Sequence, residues 1–578
     1  MKDKKKWERI YDRYSNILNH KLICSIPWII IVLLLTYYVL NNGLLEFETN
    51  DDFYMEMITG GAFGECSPYT VYTNIFVGYE LVFLHWLMPM HSWFTIIQLT
   101  GIVLSFILVG VLLINRSGIL NGYIIAGIFL LCSFDSIVCR MNYSKTGAFI
   151  FITGLILFLS FLDHDDWKNW KYRLGRTGSL VLMLQGSLMR DYATLVCVPF
   201  AAICVVYILY KYKQDMKKRF LSVIIATVIV GAFWMCSFII YSVNDEWKAF
   251  KEYDNARIKL LDYDLPEYSE NMDLYTNIGF SENDYHLLKS WQNGDVDFYS
   301  KEKLEKIANS NQKMKQNFFR SEHIDLSNLS FVEFARYHLI ILLLLPFSIV
   351  VVLLNPKRFY YIFSILILGY GELWASLMKG RLNERSLYIP MLVAFLVIAF
   401  FVAENEISVK ERKKFCLTLL VITFFAYYGC GVYSLLNIKE GRQYYRESAS
   451  EVLEYTSSHR DSLFIMDIVH NSNMLASAYG PFDDISSIPH ENIATLGGWI
   501  VPTPIWKDII GPFGDRCNLI KTLVQNKNVY LLVPNDYDCS RIYLYIKEHY
   551  NPNVQMVLTD EVGNYAIFSF FKANEVNQ

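Results

Sequence analysis

A chain of 578 residues that is 53% hydrophobic and 16% aromatic but only 19% charged, with a mean hydropathy of +0.25, has the composition of a polytopic membrane protein and not of a soluble globule. Its formal net charge of -4 excludes the basic face that a nucleic-acid partner calls for. Most of its cysteines lie in or beside apolar segments without metal-ligand spacing and read as small buried residues, while Cys517 and Cys539, in polar sequence, leave a disulfide between them open.

In chain order, Lys2, Lys4, Lys5, Lys6 and Arg9 precede an apolar run from Leu22 to Leu45. That run is too long for a signal-peptide core and has no small-residue cleavage site, so a retained first span with a cytoplasmic N-terminus is expected. The loop over residues 46–74 then faces outward and carries Glu48, Asp51 and Asp52, followed by a helix-like piece from Tyr54 to Gly61 suited to the interface. Carboxylates beside hydrocarbon are costly to keep ionised, so the cluster either has a function or simply ends a helix and solvates a loop. Asn74 to Met90 is short, contains Glu80 and His85 and is interrupted by Pro89; it is expected to be interfacial or re-entrant.

Spans follow at Trp93 to Ile114, Leu120 to Asp135, Thr146 to Leu162, Thr177 to Met189, which is short, Tyr192 to Tyr212, Phe220 to Val243, Tyr337 to Leu354, Tyr360 to Met378, Leu387 to Val402 and Phe415 to Asn437. With the first, the total is about eleven, and it leaves Lys168 to Arg176, Lys211 to Arg219, Pro356 to Arg358 and Lys410 to Lys414 inside. A full crossing by Asn74 to Met90 would put each of those basic loops on the wrong face. Residues 244–336 form an outer insert with helical periodicity around Ser300 to Ile307, read as a helical cap or as a wall of an acceptor cleft offering Trp291 as an aromatic face.

Three groups of cations remain on the outer side against the positive-inside preference: Arg140 with Lys145, Arg190, and Lys379, Arg381 and Arg385. Short outer loops tolerate single charges by snorkelling. Three such turns facing the compartment of Asp51 and Asp52 favour an anion site instead, because guanidinium forks bind phosphate oxygens bidentately. From residue 438 to 578 the composition becomes that of a soluble α/β domain. Helices are expected at Arg442 to Ser457, Arg516 to Gln525 and Ser540 to Tyr550, and strands at Leu463 to Val469, Val529 to Val533 and Tyr565 to Phe571, in a small, mostly parallel sheet. The loop from Tyr479 to Phe513, with Trp499 and Trp506, either binds glycan or sits back on the membrane domain. No glycine-rich nucleotide motif or zinc pattern occurs there. His85, His91 and His338, at membrane edges, read as packing residues.

Several stretches together resemble a known class. Asn50-Asp51-Asp52 with Gly60-Gly61-Ala62, Tyr72-Thr73-Asn74 through Trp93, Ser281-Glu282-Asn283-Asp284-Tyr285, and Gly380-Arg381 through Arg385 are similar to a group of polytopic membrane proteins from Gram-positive bacteria, and more widely the chain resembles GT-C-fold glycosyltransferases. The resemblance implies residues 1–437 as a GT-C-like multi-pass domain of the cell membrane and 438–578 as an extracytoplasmic α/β domain. It implies a polyprenyl-phosphate-sugar donor and a glycan, lipid or protein acceptor, with membrane lipid as surroundings. Asp51 is then the preferred base, Asp52 its partner and Glu48 a weaker third, expected to share their helix face. Arg381 and Arg385 clamp the departing phosphate, with Arg190, Lys379, Arg140 and Lys145 in support. A divalent ion at Asp51 and Asp52 stays open, and nothing in the spacing forces one. A polysaccharide polymerase or ligase and a lipid-linked-sugar transporter are the competing classes.

Overall fold

The computed structural model describes residues 23–117, 119–162, 169–211, 213–262, 265–314, 344–349, 351–352, 356–378, 384–403, 449–484 and 492–572. The expected span Phe415 to Asn437, most of Tyr337 to Leu354, and Lys379, Arg381 and His338 lie outside them.

The first helix, α1 (Ile26–Asn41), carries Pro27 in its first turn, where a missing N–H costs nothing. A two-residue strand, β1 (Glu46–Phe47), leads into α2 (Asn50–Gly60), which Gly61 ends in the left-handed conformation at φ +81°. This helix begins four residues earlier than the expected Tyr54. Asp51 and Asp52 therefore sit in its first turn, where the backbone dipole favours negative charge, and Glu48 lies ahead of the helix instead of continuing it. The next helix, α3 (Ile75–Leu87), has 13 residues and is capped by the Asn74 side chain. At 1.5 Å per residue it is too short to cross a bilayer upright.

The bundle continues with α4 (Trp93–Ser117), α5 (Ile119–Phe134), a π-helical turn at Asp135–Cys139, β2 (Arg140–Met141), α6 (Tyr143–Leu162), α7 (Trp170–Met189), α8 (Asp191–Lys211) and α9 (Met216–Val243). Four helices of the insert follow, α10 (Asp245–Leu261), α11 (Met272–Asn277), α12 (Glu282–Lys289) and α13 (Lys301–Met314), and then α14 (Phe359–Met378) and α15 (Glu384–Ala403). Among the described residues, 7 helices are long and apolar enough to cross a membrane: α1, α4, α6, α8 and α9 in full, α5 extended into the π turn, and most of α14. The centre of the bundle is α6, buried almost throughout, with α15 against it from Leu387 to Phe401. Leu33, Leu34, Val228 and Phe238, on α1 and α9, expose apolar side chains as lipid-facing helices do.

Helices α6 and α7 pack backbone against backbone through glycines. A Cβ on Gly186 would lie 2.4 Å from the Phe151 amide nitrogen and 2.6 Å from the Gly147 carbonyl oxygen. Close approach of this kind is what small residues provide between helices in lipid. Gly186→Ala is thus expected to push α6 from α7 at a cost of about 3 kcal/mol, measured as a lowered midpoint of thermal unfolding in detergent.

The C-terminal domain contains a helical segment over residues 449–458, β3 (Leu463–Met466), α16 (Ile468–Ala478), β4 (Ile493–Thr495), α17 (Leu519–Gln525), β5 (Val529–Pro534), α18 (Ser540–His549), β6 (Val554–Val562) and β7 (Tyr565–Lys572). The sheet order is β4-β3-β5-β7-β6. Strands β4, β3 and β5 are parallel, whereas β7 runs antiparallel to both β5 and β6. The sheet is therefore mixed, not mostly parallel. The difference is the β6–β7 hairpin, whose first strand is an edge exposed along most of its length and so lacks an apolar signature. Cys517 and Cys539 are free thiols. The insert is joined to this domain by backbone bonds, Val296 N to Cys517 O at 2.8 Å, Leu519 N to Gly294 O at 3.0 Å and Gly498 N to Trp291 O at 2.9 Å. One apolar cluster runs from α2 through the insert into the sheet.

Candidate active site

The segment before α2 is held to the segment after the π turn by the parallel pair β1–β2, which sets Glu46 opposite Arg140 and Phe47 opposite Met141. That pairing carries the first turn of α2 to the start of α6. Asp52, fully buried, accepts there from the Tyr143 amide at 2.8 Å, Gln98 Nε2 at 3.0 Å, Asn142 Nδ2 at 3.2 Å and Thr49 Oγ1 at 3.4 Å. Burial pushes its carboxyl up from an ordinary 3.8 to about 8, opposed by the Gln98 hydrogen bond and reinforced by the Asp51 charge beside it. Four donors on two oxygens leave Asp52 no free face for a cation.

One turn further along the same helix, buried Glu56 accepts from the amides of Phe94 at 2.7 Å and Thr95 at 3.2 Å, and its other oxygen lies 3.2 Å from His85 Nε2. Burial raises this carboxyl also, with His85 pulling it down. Asp52 and Glu56 thus grip α4 one turn apart, since Gln98 stands four residues after Phe94. In both groups the folded state binds the proton more tightly than the unfolded chain. Their contribution to stability is full below the ordinary carboxyl pKa, 3.8 for Asp52, and is lost as pH rises, through about 8 for Asp52, at up to about 1.4 kcal/mol per pH unit for each group. The midpoint of thermal unfolding should fall between pH 5 and 8, and Asp52→Asn should flatten that slope.

Asp51 is placed differently. Its Oδ2 lies 2.8 Å from Arg385 Nη1 at the start of α15 and 3.4 Å from the Tyr143 hydroxyl, and its side chain keeps 7% exposure while that of Arg385 keeps 20%. Tyr143 passes the network on. Its ring centroid is 5.2 Å from the guanidinium of Arg190, which is equally near the ring of Tyr72 and donates to the Tyr72 carbonyl at 2.9 Å. Asp51, Arg385 and, through Tyr143, Arg190 therefore come together around a partly open point, with Asp52 locked behind.

The other sequence candidates occupy a neighbouring layer. Lys145, fully buried in the first turn of α6 and not on an outer turn, pairs with Glu48 at 2.5 Å; its ammonium lies 5.6 Å from the ring of Tyr388, one turn after Arg385. Arg140 pairs with Asp135 at 3.5 Å, also buried. Both cations thus face carboxylates of the chain itself.

The C-terminal domain roofs α2. Asn50 Nδ2 donates to Ser472 at 2.8 Å, Asn471 Nδ2 donates to the Tyr54 hydroxyl at 2.7 Å, and Trp499 packs on Tyr54 and Tyr72 with centroids 5.9 and 4.9 Å apart. The loop left open between glycan binding and packing sits back on the bundle: Ser92 donates to the Asp483 carbonyl at 2.6 Å and Thr95 to that of Pro481 at 2.5 Å. From the insert, Arg257 donates to Asp254 at 2.6 and 2.9 Å and to the Tyr72 hydroxyl at 2.9 Å, and its guanidinium stands 5.2 Å from the ring of Trp291. Gln98, Asn142 and Tyr143 were missed from the sequence. An amide early in an apolar helix, and an Asn-Tyr pair between the unexpected cations Arg140 and Lys145, are the signals that point to them.

No protein-family model and no curated protein matches the chain. Solved structures of ArnT from Cupriavidus metallidurans, in the apo state and bound to undecaprenyl phosphate, are similar to it at 12% identity over 94% of this chain and 98% of that one, with TM-scores of 0.41 and 0.39.

Proposed function

We propose that the chain is a glycosyltransferase that moves a sugar from a polyprenyl-phosphate-linked donor to an acceptor hydroxyl on the outer face of the membrane, with its N-terminus in the cytoplasm. The observation that carries this reading is the Asp51–Arg385 pair at 2.8 Å, a carboxylate and a guanidinium facing each other at a partly open point in an otherwise buried polar network. Asp51 takes the proton of the acceptor hydroxyl as its oxygen attacks the anomeric carbon. The bond from that carbon to the phosphate oxygen breaks, and Arg385 turns to the departing phosphate and neutralises the charge it gains. A direct displacement of this kind inverts the anomeric centre.

Arg190, held by Tyr72 and Tyr143, supplies a second positive group for the same phosphate. Asp52 fixes the first turn of α2 and does no proton transfer. The roof residue Trp499, packed on Tyr54 and Tyr72, keeps bulk water from competing with the acceptor. The reading needs no divalent ion: the oxygens of Asp52 are taken by four protein donors, and Asp51 is paired through Oδ2 with Arg385. Tag-free protein incubated with a panel of radiolabelled polyprenyl-phosphate hexoses, pentoses and amino sugars is expected to release sugar from at least one donor above a protein-free blank. Absence of release across the panel overturns the reading.

A further inference from the structure

The insert and the C-terminal domain meet a second time away from the candidate active site, where α12 faces α18. Here three side chains of metal-ligating type converge: Asp284 from the insert, and Glu548 and His549 from the domain, with their ligand atoms all within 4.8 Å of one another. His549 Nε2 is 2.9 Å from Asp284 Oδ1 and 4.0 Å from Glu548 Oε2. We propose that these residues form a binding site for a divalent transition ion of the zinc type, which staples the insert to the C-terminal domain.

The geometry supports a built site in three ways. Asp284 is fully buried and cannot swing away, because its Oδ2 accepts from the Ser281 amide at 2.7 Å in a capping box, which leaves Oδ1 presented to His549. The imidazole plane is fixed by Phe298 and Tyr545, with centroids 4.4 and 4.5 Å away. Glu548 is steered to the same point by Ser281 Oγ, which donates to its Oε2 at 3.1 Å. Donors at bond lengths of about 2.0–2.2 Å around a tetrahedral ion stand roughly 3.3–3.5 Å apart. The Asp284–His549 spacing, 2.9 Å, needs to open by about half an ångström and the His549–Glu548 spacing, 4.0 Å, to close by about as much, while Glu548, within 4.8 Å of Asp284, rotates towards it by up to about 1.4 Å.

Beside the triad lies a cleft of about 410 Å³ lined by Ser281, Glu282, His286, Asp538, Arg541 and Glu548. It gives an ion a route in and a water a place in the fourth position. One imidazole with two carboxylates suits zinc or a neighbouring transition ion, whereas calcium calls for six to eight oxygens that this site does not supply. The proposal is independent of the reaction assigned to Asp51, since no residue is shared.

The test uses full-length, tag-free protein in detergent, stripped with chelator and titrated with zinc alone. Calorimetry and elemental analysis are expected to find one high-affinity ion per chain, and the midpoint of thermal unfolding should rise by several degrees, as for any ligand that binds the folded state. His549→Gln and the half-exposed Glu548→Gln should each weaken binding at least ~10-fold, and millimolar calcium should not reproduce the shift. Glu548→Gln guards against a folding defect, because its side chain closes no core. Substoichiometric zinc in the wild type, or equal binding by wild type and both variants, overturns the site.

Discussion

Asp51→Asn is expected to lower sugar transfer by roughly 10²–10⁴-fold, the range for loss of a positioned general base, while Asp52→Asn keeps most of the activity at pH 7. The two changes are the same in chemistry and one residue apart in sequence, so the contrast isolates their surroundings. Asp52 has no exposure and four protein donors, and its carboxyl is pushed up to about 8, so asparagine imitates its neutral form. Asp51 keeps 7% side-chain exposure and faces the guanidinium of Arg385, which keeps 20%. An amide there cannot take a proton. Initial rates with the donor that the panel selects, together with the unfolding midpoint of each variant, decide the matter. Equal loss of transfer in the two variants, or undiminished transfer in Asp51→Asn, sinks the assignment of the base.

That contrast is invisible in the sequence, where Asp51 and Asp52 are adjacent acids in the same polar loop. What separates them is the position of Gln98, Asn142 and Tyr143, which reach α2 only because β1 and β2 pair across 93 residues of chain, Phe47 against Met141. Long-range pairing of two-residue strands leaves no periodicity to read. The spans are different: apolar length alone marks α1, α4, α6, α8 and α9, since the bilayer demands it of each helix separately. The excess of outer cations was likewise legible as a count, but their roles were not. Lys145 and Arg140 meet Glu48 and Asp135 within the protein, whereas Arg385, from the same count, meets the partly open Asp51. Strand β6 escaped because an exposed edge strand carries little apolar alternation, and β4 because three residues are too few to show a pattern, whereas β7 was legible from Tyr565.

Arg385→Ala should have a double effect. Removing the guanidinium leaves the Asp51 carboxylate, on a side chain 7% exposed, without its counter-charge, and breaking one side of a buried pair costs about 3–5 kcal/mol. Because the Arg385 side chain retains 20% exposure, the loss belongs at the lower end of that range. It also removes the group assigned to the departing phosphate, which lowers transfer by roughly 10²–10³-fold. Stability and chemistry are separable by the double variant. Asp51→Asn with Arg385→Ala leaves no unpaired charge, so much of the unfolding midpoint should return while transfer stays at least as low as in either single variant, a coupling of the size expected for residues in direct contact. Arg385→Lys keeps the charge but loses the planar fork, and should hold the midpoint better than alanine while recovering little of the rate. If the double variant is as unstable as Arg385→Ala alone, the two side chains are not energetically coupled, and the reading of Asp51 and Arg385 as a counter-charged pair at the site falls.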